Sequence, residues 1–87
     1  MKEYNIWLDD DGHVYKANDT PIRGIKTAAK FAIDEFEKML DRKLGYVDKE
    51  YELVAVIEVA ENYTIVKSDD PRCYWEYSYI IEEVWAL

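Results

Sequence analysis

CYWEYSYIIEEVWAL, residues 73–87, is the most apolar run of the chain, yet acids stand inside it at Glu76, Glu82 and Glu83. Side chains along a strand alternate between its two faces, so the run divides into two rows. The odd row holds Cys73, Trp75, Tyr77, Tyr79 and Ile81; the even row holds Tyr74, Glu76, Ser78, Ile80, Glu82 and Val84. An aromatic row beside a row of acids and isolated apolar groups predicts a long strand, to about Trp85, covered on one face and open on the other. Glu76 and Glu82 then lie on the open face, outside the core.

Upstream, Tyr51, Leu53, Ala55, Ile57 and Val59 alternate with Glu52, Val54, Val56 and Glu58. This predicts a central strand whose Glu52 and Glu58 join the open face, interleaved with Val54 and Val56. Glu61-Asn62 and Ser68-Asp69-Asp70-Pro71-Arg72 carry turn chemistry and bracket a further strand at 63–67. Near the start, Tyr4-Asn5-Ile6-Trp7-Leu8 and His13-Val14-Tyr15-Lys16-Ala17 flank Asp9-Asp10-Asp11-Gly12, whose Asp-Gly step supplies the positive φ of a tight hairpin. A four-residue loop would pair Leu8 with His13 and Ile6 with Tyr15. Tyr4, Ile6 and Leu8 would form the core row, and Trp7 and Val14 would face outward.

Between these strands the apolar period lengthens to that of a helix. Ile25, Ala29, Ala32, Phe36, Met39, Leu40 and Leu44 fall in one arc at about 100° per residue. Asp19 or Thr20 suits a cap, Pro21 a first helical position, and Gly45 a left-handed close, while Gly24 can delay the start to about Ile25. Arg23, Lys26, Lys30, Asp34, Glu37 and Asp41 take the outer face, with Phe31 an outlier covered by a loop or exposed for contact. The order is ββαβββ: an α+β fold of two layers, one helix on an antiparallel sheet of four to five strands, with residues 1–87 as a single domain. Phe36, Leu53, Ile57, Trp75 and Tyr77 are the expected core. One helix covers one sheet face, so the other stays open unless a partner covers it.

Nineteen acids against eleven bases give a net charge of −8, and the charge is segregated. Residues 1–20 carry −3, residues 21–45 carry +2 and residues 46–87 carry −7. Such a field disfavours nucleic acid as a direct ligand and speeds association with basic surfaces. The single Cys73 forms no intrachain disulfide and suits a reducing compartment. With no signal-like run at Met1-Lys2-Glu3-Tyr4 and no segment near the roughly 20 apolar residues of a membrane span, the expected address is the cytoplasm.

Motifs for catalysis or cofactors are not found in the sequence. Asp9-Asp10-Asp11-Gly12 could offer oxygen ligands to a hard cation, but the alternating acids and distal glutamate of a calcium loop are missing, so a solvated turn or a partner contact reads better. His13, the only histidine, has no neighbouring nucleophile and orienting acid by spacing, and Cys73 opening a strand reads as a small buried or edge residue. Paired carboxylates on a sheet face form no deep cleft for glycoside chemistry. The expectation is no enzyme, no metal and no cofactor.

The open face can be read as acid decoration for solubility. Apolar groups rimmed by charge, with Trp and Tyr as anchors, instead suit a protein interface. The residues expected to bind a partner are Trp7, Asp9, Asp10, Asp11, Glu52, Val54, Val56, Glu58, Tyr74, Glu76, Ile80 and Glu82. In size, single-domain build and acidic rows such as Asp9 to Asp11 and Glu82-Glu83, the chain resembles the small acidic inhibitors that phages make against host defences, including anti-CRISPR and anti-restriction nucleic-acid mimics. The resemblance is one of kind and carries over no residue roles. It implies a viral protein in the host cytoplasm that occludes a basic, nucleic-acid-binding surface of another protein. The alternative is a structural or regulatory homodimer pairing through its open sheet face.

Overall fold

The computed structural model describes residues 2–44, 55–59, 63–68 and 75–85. It has the α+β architecture expected: one helix, α1 (Ile25–Leu44), packed on an antiparallel sheet. The strands are β1 (Lys2–Asp10), β2 (His13–Lys16), a two-residue β3 (Ile22–Arg23), β4 (Ala55–Val59), β5 (Tyr63–Ser68) and β6 (Glu76–Trp85). Their order is β2-β1-β6-β5-β4, with β3 pairing β1 beside β2. The short β3 adds to the five strands read from the sequence.

The sequence reading placed the strand around 51–59 at the centre. In the described sheet β4 is instead the outermost strand, because β4–β5 and β5–β6 are successive antiparallel pairs that step away from β1. The centre is held by the two longest strands, β1 and β6, which pair at nine positions from Lys2↔Trp85 to Asp10↔Tyr77. The expected core residue Leu53 lies outside the described residues, as do Gly45 and Cys73.

The hairpin register differs from the four-residue loop expected. Asp10 pairs with His13, Asp9 with Val14 and Leu8 with Tyr15, leaving a two-residue loop of Asp11-Gly12. Both loop residues have positive φ, 50° and 98°, the requirement of a type I′ turn whose twist matches the strands it joins. Asp9 Oδ1 accepts the Gly12 N–H at 2.7 Å and fixes the tip. The register moves by an even number of residues, so each side chain keeps its face: Tyr4, Ile6 and Leu8 are buried, and Val14 is exposed.

After β2 the chain has to leave β1 and return as β3, which would strand β1 main-chain groups. Asn18, itself buried, fills that gap. Its Oδ1 accepts the Ile6 N–H at 2.7 Å, and its Nδ2 donates to the Tyr4 carbonyl at 3.3 Å and the Thr20 carbonyl at 2.8 Å. The Ala17 N–H meets the Ile6 carbonyl at 2.8 Å. A side-chain amide thus does the work of a missing strand residue, and the Asn18-to-Pro21 stretch serves this edge rather than capping the helix. The cap falls to Gly24, at φ 87°, whose carbonyl accepts the Ala28 N–H at 3.0 Å.

Ala28, Ala32, Phe36 and Met39 are the buried positions of α1, and small residues at the first two let the helix approach the sheet closely. Ile25, expected in the buried arc, is 51% exposed because it is the first residue of the helix, beyond the buried turn that begins at Ala28. Phe31 is half-buried and packs against the core. Beneath α1 lie Tyr4, Ile6, Leu8, Trp75, Tyr77 and Tyr79, with Phe36 meeting Tyr79 edge to face at 5.1 Å and Trp75 stacking on Tyr77 at 5.2 Å.

Two substitutions separate the polar clamp from the apolar core. Asn18→Ala is expected to cost about 1–3 kcal/mol by leaving the buried Ile6 N–H without an acceptor. Phe36→Ala is expected to cost about 3–5 kcal/mol through the cavity it leaves. Urea denaturation reads both; an unchanged midpoint for Asn18→Ala would show that water replaces the clamp.

Candidate protein-binding face

The face of the sheet away from α1 is assembled from alternate residues of neighbouring strands, so its rows follow from the register. One row runs Lys16–Trp7–Ile80 across β2, β1 and β6. The next runs Val14–Asp9–Ser78–Ile65, and Asn5 stands opposite Glu82. The structure therefore brings Trp7, Asp9, Glu76, Ile80 and Glu82 onto one face, as expected from the sequence. Val14, 51% exposed beside Asp9, belongs to the same face and was not among the residues singled out, although the alternation through His13-Val14-Tyr15-Lys16 carries the signal.

Trp7 sits at the middle of this face, half-buried between its cross-strand neighbours. Its indole Nε1 is shielded from solvent and has no hydrogen-bond partner among the described residues. Ile80, 38% exposed, lies directly beside it on β6. Ser78 on the same face is buried.

The acids of the two central strands are held in place. Glu82 accepts from Asn5 Nδ2 at 3.3 Å, Glu76 lies 4.0 Å from Lys67 Nζ, and Glu3 lies 3.7 Å from Arg23. The hairpin tip is tied to β6 as well: the Asp11 N–H donates to the Glu76 carbonyl at 3.1 Å and the Glu76 N–H to Asp11 Oδ1 at 3.2 Å. Asp9, Asp11 and Glu76 thus gather at one end of the sheet. Exposed pairs of this kind are each worth only about 0–1 kcal/mol, so their bases are readily exchanged for those of a partner.

Asp10, grouped with its neighbours in the sequence reading, is on the opposite face. Its alternation with Asp9 and Asp11 turns it toward α1, where Lys43 Nζ lies 3.0 Å from Oδ2. Glu83, one residue from Glu82, likewise points the other way and pairs with Lys2 at 3.6 Å; the same ammonium lies 5.4 Å from the Trp85 ring centre. Val56 and Glu58 stand on β4 in register with Lys67 and Ile65. Glu52, Val54 and Tyr74 lie outside the described residues.

Among the described residues no group of three His, Cys, Asp or Glu could hold a metal ion, and no helix is long and apolar enough to cross a membrane. His13 is exposed and lies against Tyr15 at 5.9 Å between ring centres. A depression on the outer side of α1, lined by Asp34, Glu37, Lys38 and Asp41, is open to solvent.

The hydrogen bond from Lys43 to Asp10, with the attraction of that carboxylate, holds the Lys43 ammonium above its ordinary pKa of 10.5. A raised pKa in the folded state stabilises the fold at every pH below the unfolded value, and the contribution is lost as pH rises through the folded one. The melting-temperature difference between wild type and Asp10→Asn is therefore expected to be constant through neutral pH and to shrink above about pH 10.5. A difference that does not change in that range would mean that the pair contributes nothing to stability.

Compared with protein-family models, curated proteins and solved structures, the chain matches none of them.

Proposed function

We propose that the protein acts by binding and without catalysis, covering a basic, nucleic-acid-binding surface of another protein with its open sheet face and thereby occluding it. The observation that carries this reading is Trp7: an indole on the sheet face away from α1, beside exposed Ile80, with Asp9 and Glu82 one step along that face and Glu76 beyond them at the hairpin end. Tryptophan in a desolvated centre with charge at the rim is the usual anatomy of a protein interface.

The rest of the face supports it. Carboxylates in rows on a rigid sheet can stand where phosphates would, opposite lysine and arginine, and charge-assisted bonds to them are stronger than neutral ones. The net charge of −8 raises the encounter rate with a basic partner. The proposed setting is that of a phage inhibitor acting in a host cell, against a nuclease or another defence protein whose nucleic-acid path is basic.

Once a partner has been captured, two kinds of substitution test the face. Glu76→Lys with Glu82→Lys is expected to slow association and flatten its dependence on ionic strength, because rim charges act mainly through steering. Trp7→Ala is expected to speed dissociation and weaken binding by about 2 kcal/mol, roughly 30-fold. Binding that survives these changes but is destroyed by reversing Arg23, Lys26 and Lys30 would place the working surface on the helix and end the phosphate-mimic reading.

A further inference from the structure

The outer ridge of α1 runs Lys26, Lys30, Ile33, Glu37 and Asp41, with spacings of four, three, four and four residues that keep it on one line opposite the buried Ala28–Ala32–Phe36–Met39 face. All five are exposed, and Ile33 is 44% exposed in the middle of the ridge. None of the four charged groups has an ion-pair partner among the described residues. The acids of β1 and β6, by contrast, are all engaged by a base or a hydrogen-bond donor.

These charges are arranged against the interest of a lone helix. A helix favours acids in its first turn, where backbone N–H groups leave a partial positive charge, and bases in its last. Here the first turn holds no acid and carries Lys26, and on this ridge the last turn presents Asp41, while Arg42 and Lys43, which suit that end, lie off the ridge. The same arrangement is favourable for two such helices laid antiparallel. A two-fold axis passing between residues 33 and 34 sets Lys26 opposite Asp41 of a second copy and Lys30 opposite Glu37. Each contact then occurs twice, with the two Ile33 side chains flanking the axis.

We propose that this ridge is a self-complementary surface on which a second copy of the chain docks, helix against helix and antiparallel. The open sheet face stays free on both outer sides of such a pair. Basic and acidic halves meet their opposites, Lys26 gains the carboxylate and the negative helix end that its own helix denies it, and Ile33 is covered. The acid-lined depression at Asp34, Glu37, Lys38 and Asp41 is where the incoming Lys30 ammonium arrives. Because the contact is mostly exposed charge, it forms at low ionic strength and weakens as salt is added.

Sedimentation velocity of the whole chain tests this with charge reversal. One variant carries Lys26→Glu and Lys30→Glu, the other Glu37→Lys and Asp41→Lys. Lys26→Glu and Asp41→Lys suit the helix ends better than the native residues, and Lys30 and Glu37 are exposed mid-helix positions, so each variant is expected to melt close to wild type. Wild type is expected to sediment at twice the monomer mass at low ionic strength, with its dissociation constant rising about tenfold or more at high ionic strength. Either variant alone is expected to remain a monomer, and an equimolar mixture of the two to recover the doubled mass. A wild type that is monomeric at low ionic strength, or a mixture of folded variants that fails to associate, would overturn the proposal. Variants that dimerise as wild type does would move the contact to another surface and overturn it equally.

Discussion

One helix cannot cover two faces of a sheet, and the rest of this molecule follows from that constraint. The sheet widens through β6, β5 and β4 on one side of β1 and through β2 and β3 on the other, while α1 lies across a single side of it. The aromatic row of β6 and the apolar row of β1 go beneath α1, where burying each large side chain contributes about 1.5–3 kcal/mol. Among the described residues, Val14, Glu76, Ile80 and Glu82, of the opposite parity, are exposed. Glu76 and Glu82 stand where the strand period puts them, on the side away from α1.

Charge is handled differently in the two layers. On the central strands each acid has a neighbour that fixes it: Glu3 has Arg23, Asp10 has Lys43, Glu76 has Lys67, Glu82 has Asn5 and Glu83 has Lys2. These links are weak one by one, but they hold carboxylates in register with a rigid pair of strands, which reduces the entropy lost when a partner arrives. The charges of the helix ridge have no such neighbours among the described residues. The proposed sheet contact and the proposed helix contact lie on opposite layers, so neither would obstruct the other.

Much of this was legible from residue type and spacing. The period of two in residues 73–87 placed Trp75, Tyr77 and Tyr79 in the core and Glu76, Ile80 and Glu82 outside, and the structure agrees. The hairpin parity was readable because an Asp-Gly step restricts the turn; its length was not, since positive φ at Asp11 as well as Gly12 is a property of the closed loop and not of either residue alone. Strand order was less accessible: which strand neighbours β1 depends on contacts some 70 residues apart in sequence, which no local pattern encodes. The cap read at Asp19 or Thr20 and the helix start read at Pro21 give way to β3, because the stretch from Asn18 serves the gap between β2 and β3, which only the register of β1 reveals. Asp10 illustrates the same limit, since a run of three acids reads as one patch until the alternation of the strand sends the middle one to Lys43.

Docking of a basic partner on the sheet face away from α1 can be followed through the two shielded indoles. Among the described residues neither Trp7 nor Trp75 has a partner for its Nε1, one on the face away from α1 and one against the core. In a proton–nitrogen correlation experiment on the labelled protein, titrated with a lysine- and arginine-rich polypeptide, the Trp7 indole resonance and the amides of Val14 and Ile80 should move most. The Trp75 indole should stay in place. Shifts confined to residues 26–41 of the helix, with the Trp7 indole unmoved, would contradict the account.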